Sequence, residues 1–119
     1  MYDASLDTPE NRKFVAAFES KYKRTPSLYA AAAYDAANVL DLGLRKAAGD
    51  PKKLAAGVKT AGGEFKSVRG PFQFGKNNMP VQNYYAFETV RAGGKVATKS
   101  IGTPLAAHAD SYAALCKLP

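Results

Sequence analysis

With 119 residues, 46% of them hydrophobic and 23% charged, the chain is long enough for one domain with its own core and too apolar for disorder. Its formal charge of +7 comes from lysines and arginines scattered over the whole length, not from a dense basic block of the kind that tracks a phosphate backbone. Cys116 and His108 are the only residues of their kinds, which excludes an internal disulfide and a cysteine-based metal site.

The chain opens Met-Tyr-Asp-Ala-Ser, with neither a charged n-region nor an apolar h-region, so no signal peptide is expected in it. That leaves a cytosolic protein or a piece of something longer. Asp7 or Thr8 caps a first helix, with Pro9 in the first turn and Glu10 near the positive end of the dipole. Phe14, Phe18 and Tyr22 recur every four residues beside Val15, giving one apolar face from Asn11 to Tyr22. Thr25-Pro26 ends this helix, because a residue before proline is pushed out of the helical region.

Ser27 then caps a long second helix that the spacing carries to Gly49, a left-handed closing residue, with Arg45 and Lys46 in the last turn. Leu28 to Tyr34 is apolar or aromatic all round, which predicts burial on every side of the first two turns. Asp35, Asn38, Asp41 and Arg45 form one polar stripe, so Asp35, Asn38 and Arg45 are expected to be more exposed than Tyr29, Ala33, Leu40 and Leu44. Gly43 in the helix interior marks a close approach of a neighbouring backbone. A membrane span is excluded, since Asp35 and Asp41 interrupt the apolar run.

Asp50-Pro51 restarts a short third helix with Leu54 and Val58 on its buried side, and Gly62-Gly63 stops it. From Glu64 the period becomes strand-like. Phe65–Arg69 reads as a short strand, Gly70-Pro71 as a turn, and Phe72-Gln-Phe74 as an alternating pair interrupted by Gly75–Asn78. Tyr84–Arg91 is aromatic and β-branched, and Ala92-Gly-Gly94 is a hairpin signal leading to a partner strand from Lys95 to about Ser100. The segment from Ala106 to Leu118 has room for a short helix.

None of this makes an enzyme. His108, Asp110 and Ser111 have the residue types of a nucleophilic triad, but neighbours this close rarely converge on one atom and no strand–turn–helix elbow presents them. The glycine pairs are too short for a phosphate loop and lack its following Lys-Ser/Thr. No catalytic residue, metal ligand or cofactor is expected.

The order of elements is similar to a known family. The run Asp7-Thr-Pro-Glu-Asn-Arg-Lys-Phe-Val-Ala-Ala-Phe-Glu-Ser-Lys-Tyr-Lys-Arg-Thr-Pro-Ser27 resembles the late segment of type I, branched-chain amino acid type, periplasmic substrate-binding proteins of ABC transporters. So do Tyr29–Ala37 around Tyr34-Asp-Ala36, then Phe65-Lys-Ser-Val-Arg-Gly-Pro-Phe-Gln-Phe74, Asn77-Asn-Met-Pro-Val-Gln82 and Asp110-Ser-Tyr-Ala-Ala-Leu-Cys116.

The resemblance implies an α/β fragment of a two-lobed flytrap fold, with three helices followed by strands and a hairpin. Residues 1–24 would end the C-terminal lobe, 25–99 would form the returning segment of the N-terminal lobe, and 100–119 would cross back. It implies a periplasmic receptor whose signal peptide lies upstream, which binds a branched-chain amino acid or related small carboxylate and serves a membrane permease. Cys116 would pair, if at all, with a cysteine outside this chain. Tyr29 and Tyr34 beside the Thr25–Pro26 crossing are the expected ligand contacts, weighed against a plain core role. A partial chain would not bind its solute alone, and would expose apolar surface or cover it by self-association. The alternatives are a small basic nucleic-acid-binding module, disfavoured because aromatic and basic residues do not interleave, and an oligomeric interaction module without a small ligand.

Overall fold

The computed structural model describes residues 2–118. Local signals build three helices. Helix α1 (Pro9–Tyr22) is capped by Thr8, whose hydroxyl accepts from the Asn11 backbone N–H at 3.1 Å, and it closes on left-handed Lys23. Helix α2 (Leu28–Ala47) starts where Ser27 Oγ accepts from the Ala30 N–H at 3.3 Å. It ends at Ala47, with Ala48 and the expected Gly49 both left-handed. Asp50 caps a 3₁₀ turn, Pro51–Lys53, that runs into helix α3 (Leu54–Ala61).

Three antiparallel strands follow in the order β1 (Phe72–Phe74), β2 (Pro80–Ala92), β3 (Lys95–His108). Gly93 and Gly94 both take positive φ, as a two-residue hairpin turn requires, and Ala92 faces Lys95 across it. The β2–β3 ribbon is longer than its aromatic stretch indicates, since β3 passes Ser100 and pairs His108 with Gln82. Its register shifts between Gln82 and Phe87. The end of the chain holds a single 3₁₀ turn, Ala113–Leu115, where a short helix was expected. The architecture is the expected α/β arrangement of three helices followed by strands with a hairpin.

The core is small. Tyr2, Leu6, Phe14, Ala31 and Val68 are buried together, with Phe18, Tyr85 and Phe87 packed against them. The Phe14 ring lies 4.7 Å from Tyr34 and 5.8 Å from Phe18, joining α1 to α2.

Three expectations are corrected. Phe65–Arg69 is an irregular turn and no strand, because its polar groups bond to Asp35 on α2 instead of to a neighbouring strand. The buried side of α3 is Gly57 and Ala61, with Leu54 and Val58 only half-buried, because glycine and alanine let α3 approach α2 closely. The third concerns α2. Its buried row is Ala31, Asp35, Val39, Gly43 and Ala47, spaced four apart, so Asp35 leaves the polar stripe for the interior. Asn38 and Arg45 are exposed as expected, but so are Tyr29, Ala33, Leu40 and Leu44, and the first two turns are not buried all round.

Candidate functional site

Helices α1 and α2 are joined at the Thr25–Pro26 crossing. Thr25 Oγ1 donates to Glu19 at 3.0 Å and Pro26 is buried, which fixes the corner. Beside it lies an open cavity of about 470 Å³. Its walls are the segment Tyr2–Ser5, the crossing from Thr25 to Leu28, and the hairpin residues Thr89 and Val96–Thr98. Hydroxyls and one carboxylate dominate its polar lining.

That carboxylate is Asp3, which accepts from the Ser5 backbone at 2.9 Å and from the Thr98 hydroxyl. Burial pushes its pKa up, but the bonds from Ser5 and Thr98 prevail and hold it below the ordinary carboxylate value. Asp3 is therefore an ionised acceptor at neutral pH.

Tyr29 is in the first turn of α2, immediately after this crossing, and 82% exposed. Tyr34 is 42% exposed, but its ring packs tilted against Phe14 and it borders a separate cavity of about 350 Å³ with Glu10, Lys13, Asn38 and Asp41. Five residues of helix turn a side chain by roughly 140°, so the two tyrosines do not converge on one point.

Asp35, on the same helix, is only 2% exposed. Its Oδ2 accepts from Ser67 Oγ at 2.6 Å and from Arg69 Nε at 2.9 Å, and its Oδ1 accepts from the Val68 N–H at 3.1 Å. Arg69 reaches on to Gln82 Oε1 on β2 at 3.2 Å, and its carbonyl accepts from the Tyr85 hydroxyl at 2.9 Å. One carboxylate thus binds α2, the 67–69 turn and the ribbon into one body. The charge is buried against three donors, one of them its counter-charge Arg69, as a low-dielectric site demands. This clamp is absent from the sequence reading. The signal that would have revealed it is the row Ala31, Val39, Gly43, Ala47, four small apolar residues whose one gap in register is Asp35.

Tyr2 is buried with its hydroxyl unpartnered. Burial, with Asp3, Asp35 and Glu19 adding to it, raises its pKa to about 12. The folded state therefore keeps its proton where the unfolded chain, ionising near 10, has begun to lose it. Its contribution to stability is constant below about pH 10 and is lost as pH rises from about 10 to about 12. Tyr2→Phe removes both the orphan hydroxyl and this titration. The expected results are a gain of about 1–3 kcal/mol in a denaturant melt at pH 7 and a shallower loss of stability above pH 10.

Among the described residues, no cluster of three His, Cys, Asp or Glu side chains is placed to hold a metal ion, and no helix is long and apolar enough to cross a membrane. The arrangement offers an open cleft at a chain crossing and, apart from it, a clamp that holds α2, the 67–69 turn and the ribbon together.

Comparison with known proteins agrees. Residues 1–95 match the family model described as periplasmic binding protein, and the chain belongs to that family of non-catalytic substrate-binding proteins, whose location is the periplasm. Among solved structures it is similar to the solute-binding protein of an ABC transporter from R. palustris, crystallised in complex with benzoate. The two are 36% identical with a TM-score of 0.81, over 98% of this chain. The chain spans 31% of the length of that protein. No curated protein matches it.

Proposed function

We propose that this chain is one portion of the solute-binding receptor of an ABC importer, and that the solute is a small carboxylate. The observation that carries this reading is the 36% identity, along almost the whole chain, to a solute-binding protein seen with benzoate. In this reading residues 25–99 are the returning segment of the N-terminal lobe and 100–119 cross back, while residues 1–24 share one core with Ala31 and Val68 and so pack on that same lobe. The cleft beside Thr25–Pro26 then borders the solute space, and the receptor delivers its solute to a membrane permease.

Tyr29 does not line this cleft but follows its wall residue Leu28 directly, and its exposed ring face and hydroxyl suit an aromatic or branched apolar body. Tyr34 supports it from the α1–α2 contact, its ring face already taken by Phe14. A branched-chain or other amino acid is the second reading, favoured by ionised Asp3 in the same cleft, an acceptor for an ammonium group.

A chimera in which this chain replaces the matching third of the R. palustris protein tests the proposal by calorimetric titration with benzoate, leucine and phenylalanine. Micromolar binding of one of these is expected. Tyr29→Ala should raise its Kd about tenfold, a loss of about 1.4 kcal/mol. A folded chimera that binds none of them would refute the carboxylate reading.

A further inference from the structure

The cavity that Tyr34 borders lies between α1, α2 and the turn at residues 65–68, and has a volume of about 350 Å³. It shares no wall residue with the cleft at the Thr25–Pro26 crossing. That size is at the low end for small-molecule sites and has room for one ring with its substituents.

Its apolar walls are braced. The Tyr34 ring packs against Phe14, with centroids 4.7 Å apart, and Phe65 meets Phe72 edge to face at 5.3 Å. Val68 is buried, and its backbone N–H is held by Asp35 at 3.1 Å. A ligand entering here meets surfaces already in place, so little ordering cost attends binding.

The rim sets the charge of that ligand. It carries Glu10 and Asp41 together with Lys13 and Lys66. Both carboxylates are already compensated. Asp41 accepts from Arg45 Nε at 2.9 Å, and Glu10 stands in the first turn of α1, where the helix dipole favours negative charge. Among the described residues, neither lysine has a carboxylate within ion-pair distance. They reach the one cavity from different elements, Lys13 from α1 and Lys66 from the turn.

We propose that this cavity is a binding site for a doubly charged aromatic anion, its ring between Tyr34 and Phe65 and its charges on Lys13 and Lys66. Arenes carrying two carboxylates or one phosphate share that chemistry. A single carboxylate engages one lysine and binds more weakly, and inorganic phosphate has no ring to place. The site is independent of which solute the cleft at the crossing takes. Because the chain's charge of +7 favours anions everywhere on its surface, the test has to separate this cavity from the rest.

The 119-residue chain is titrated with isophthalate, phenyl phosphate, benzoate and inorganic phosphate, followed by backbone amide NMR shifts. At least one of the two aromatic dianions should bind with a Kd of about 0.5 mM and shift the amides of Tyr34–Leu42 and Phe65–Val68. Which of them binds tells a dicarboxylate site from a phosphate site. Benzoate should bind about fivefold more weakly, and inorganic phosphate more weakly still. Lys13→Gln and Lys66→Gln should each raise the Kd about fivefold, and both positions are exposed, so the fold is kept. Lys21→Gln/Lys23→Gln removes two charges elsewhere and should change it by less than about twofold. Dianions that bind no tighter than benzoate would overturn the proposal. So would shifts confined to other parts of the surface, or a loss from the Lys21/Lys23 pair equal to that from Lys13 and Lys66.

Discussion

Replacing Asp35 with alanine should destabilise the chain by about 3–5 kcal/mol, the usual cost of removing one partner from a buried ion pair. Three donors lose their acceptor at once: the Ser67 hydroxyl, the Val68 N–H and the Arg69 guanidinium. Arg69 is left half-buried with only Gln82 and the Phe72 ring, 5.4 Å from its guanidinium, as partners. Asp35→Asn keeps one acceptor oxygen but turns an amide toward the donors, so its cost should fall between that of alanine and zero. Chemical denaturation at pH 7 reads both. A loss under about 1 kcal/mol for alanine would mean that the clamp opens readily to water and does not bind α2 to the ribbon.

The second large effect is expected at the α2–α3 contact. A Cβ on Gly57 would lie 2.6 Å from the Gly43 carbonyl oxygen, and one on Gly43 would lie 2.6 Å from Val58 Cγ2 and 2.9 Å from Val58 Cα. Backbone cannot swing aside, so Gly57→Ala should cost about 1–3 kcal/mol in spite of alanine's better helix propensity. Gly43→Ala should cost a similar amount. The two act on one contact, so the double variant should cost less than the sum of the singles. A gain in stability from either single substitution would contradict the close approach.

How far the residues announce this structure depends on whether the signal is local. Thr8, Ser27 and Asp50 each carry their cap within three residues, and Gly93-Gly94 carries its turn, so the three helices and the hairpin are legible. Gly43 is legible too, because a glycine costs stability in a helix interior unless something sits against it. The Asp35 clamp is not, since its partners lie more than thirty residues away in a turn whose aromatic and β-branched residues imitate a strand. The stripe on α2 misleads for a related reason. Its apolar width exceeds what this chain buries, so pattern alone assigned to the core a face that stands open here. The proposed ligand contacts were inferred from residue type near a crossing. The structure separates them, with Tyr29 free in the first turn and Tyr34 stacked on Phe14.

In the function proposed above, the chain supplies one part of a solute site whose opposing wall lies elsewhere. A small carboxylate held against Tyr29 by this chain alone remains in contact with water, and binding that buries it needs fixed donors on both sides. Calorimetric titration of the 119-residue chain with benzoate, phenylalanine, leucine and valine tests this most directly. The predicted result is no binding tighter than about 1 mM, near −4 kcal/mol, for any of the four. Micromolar binding with one site per chain would contradict it, and would mean that the chain builds a complete pocket by itself.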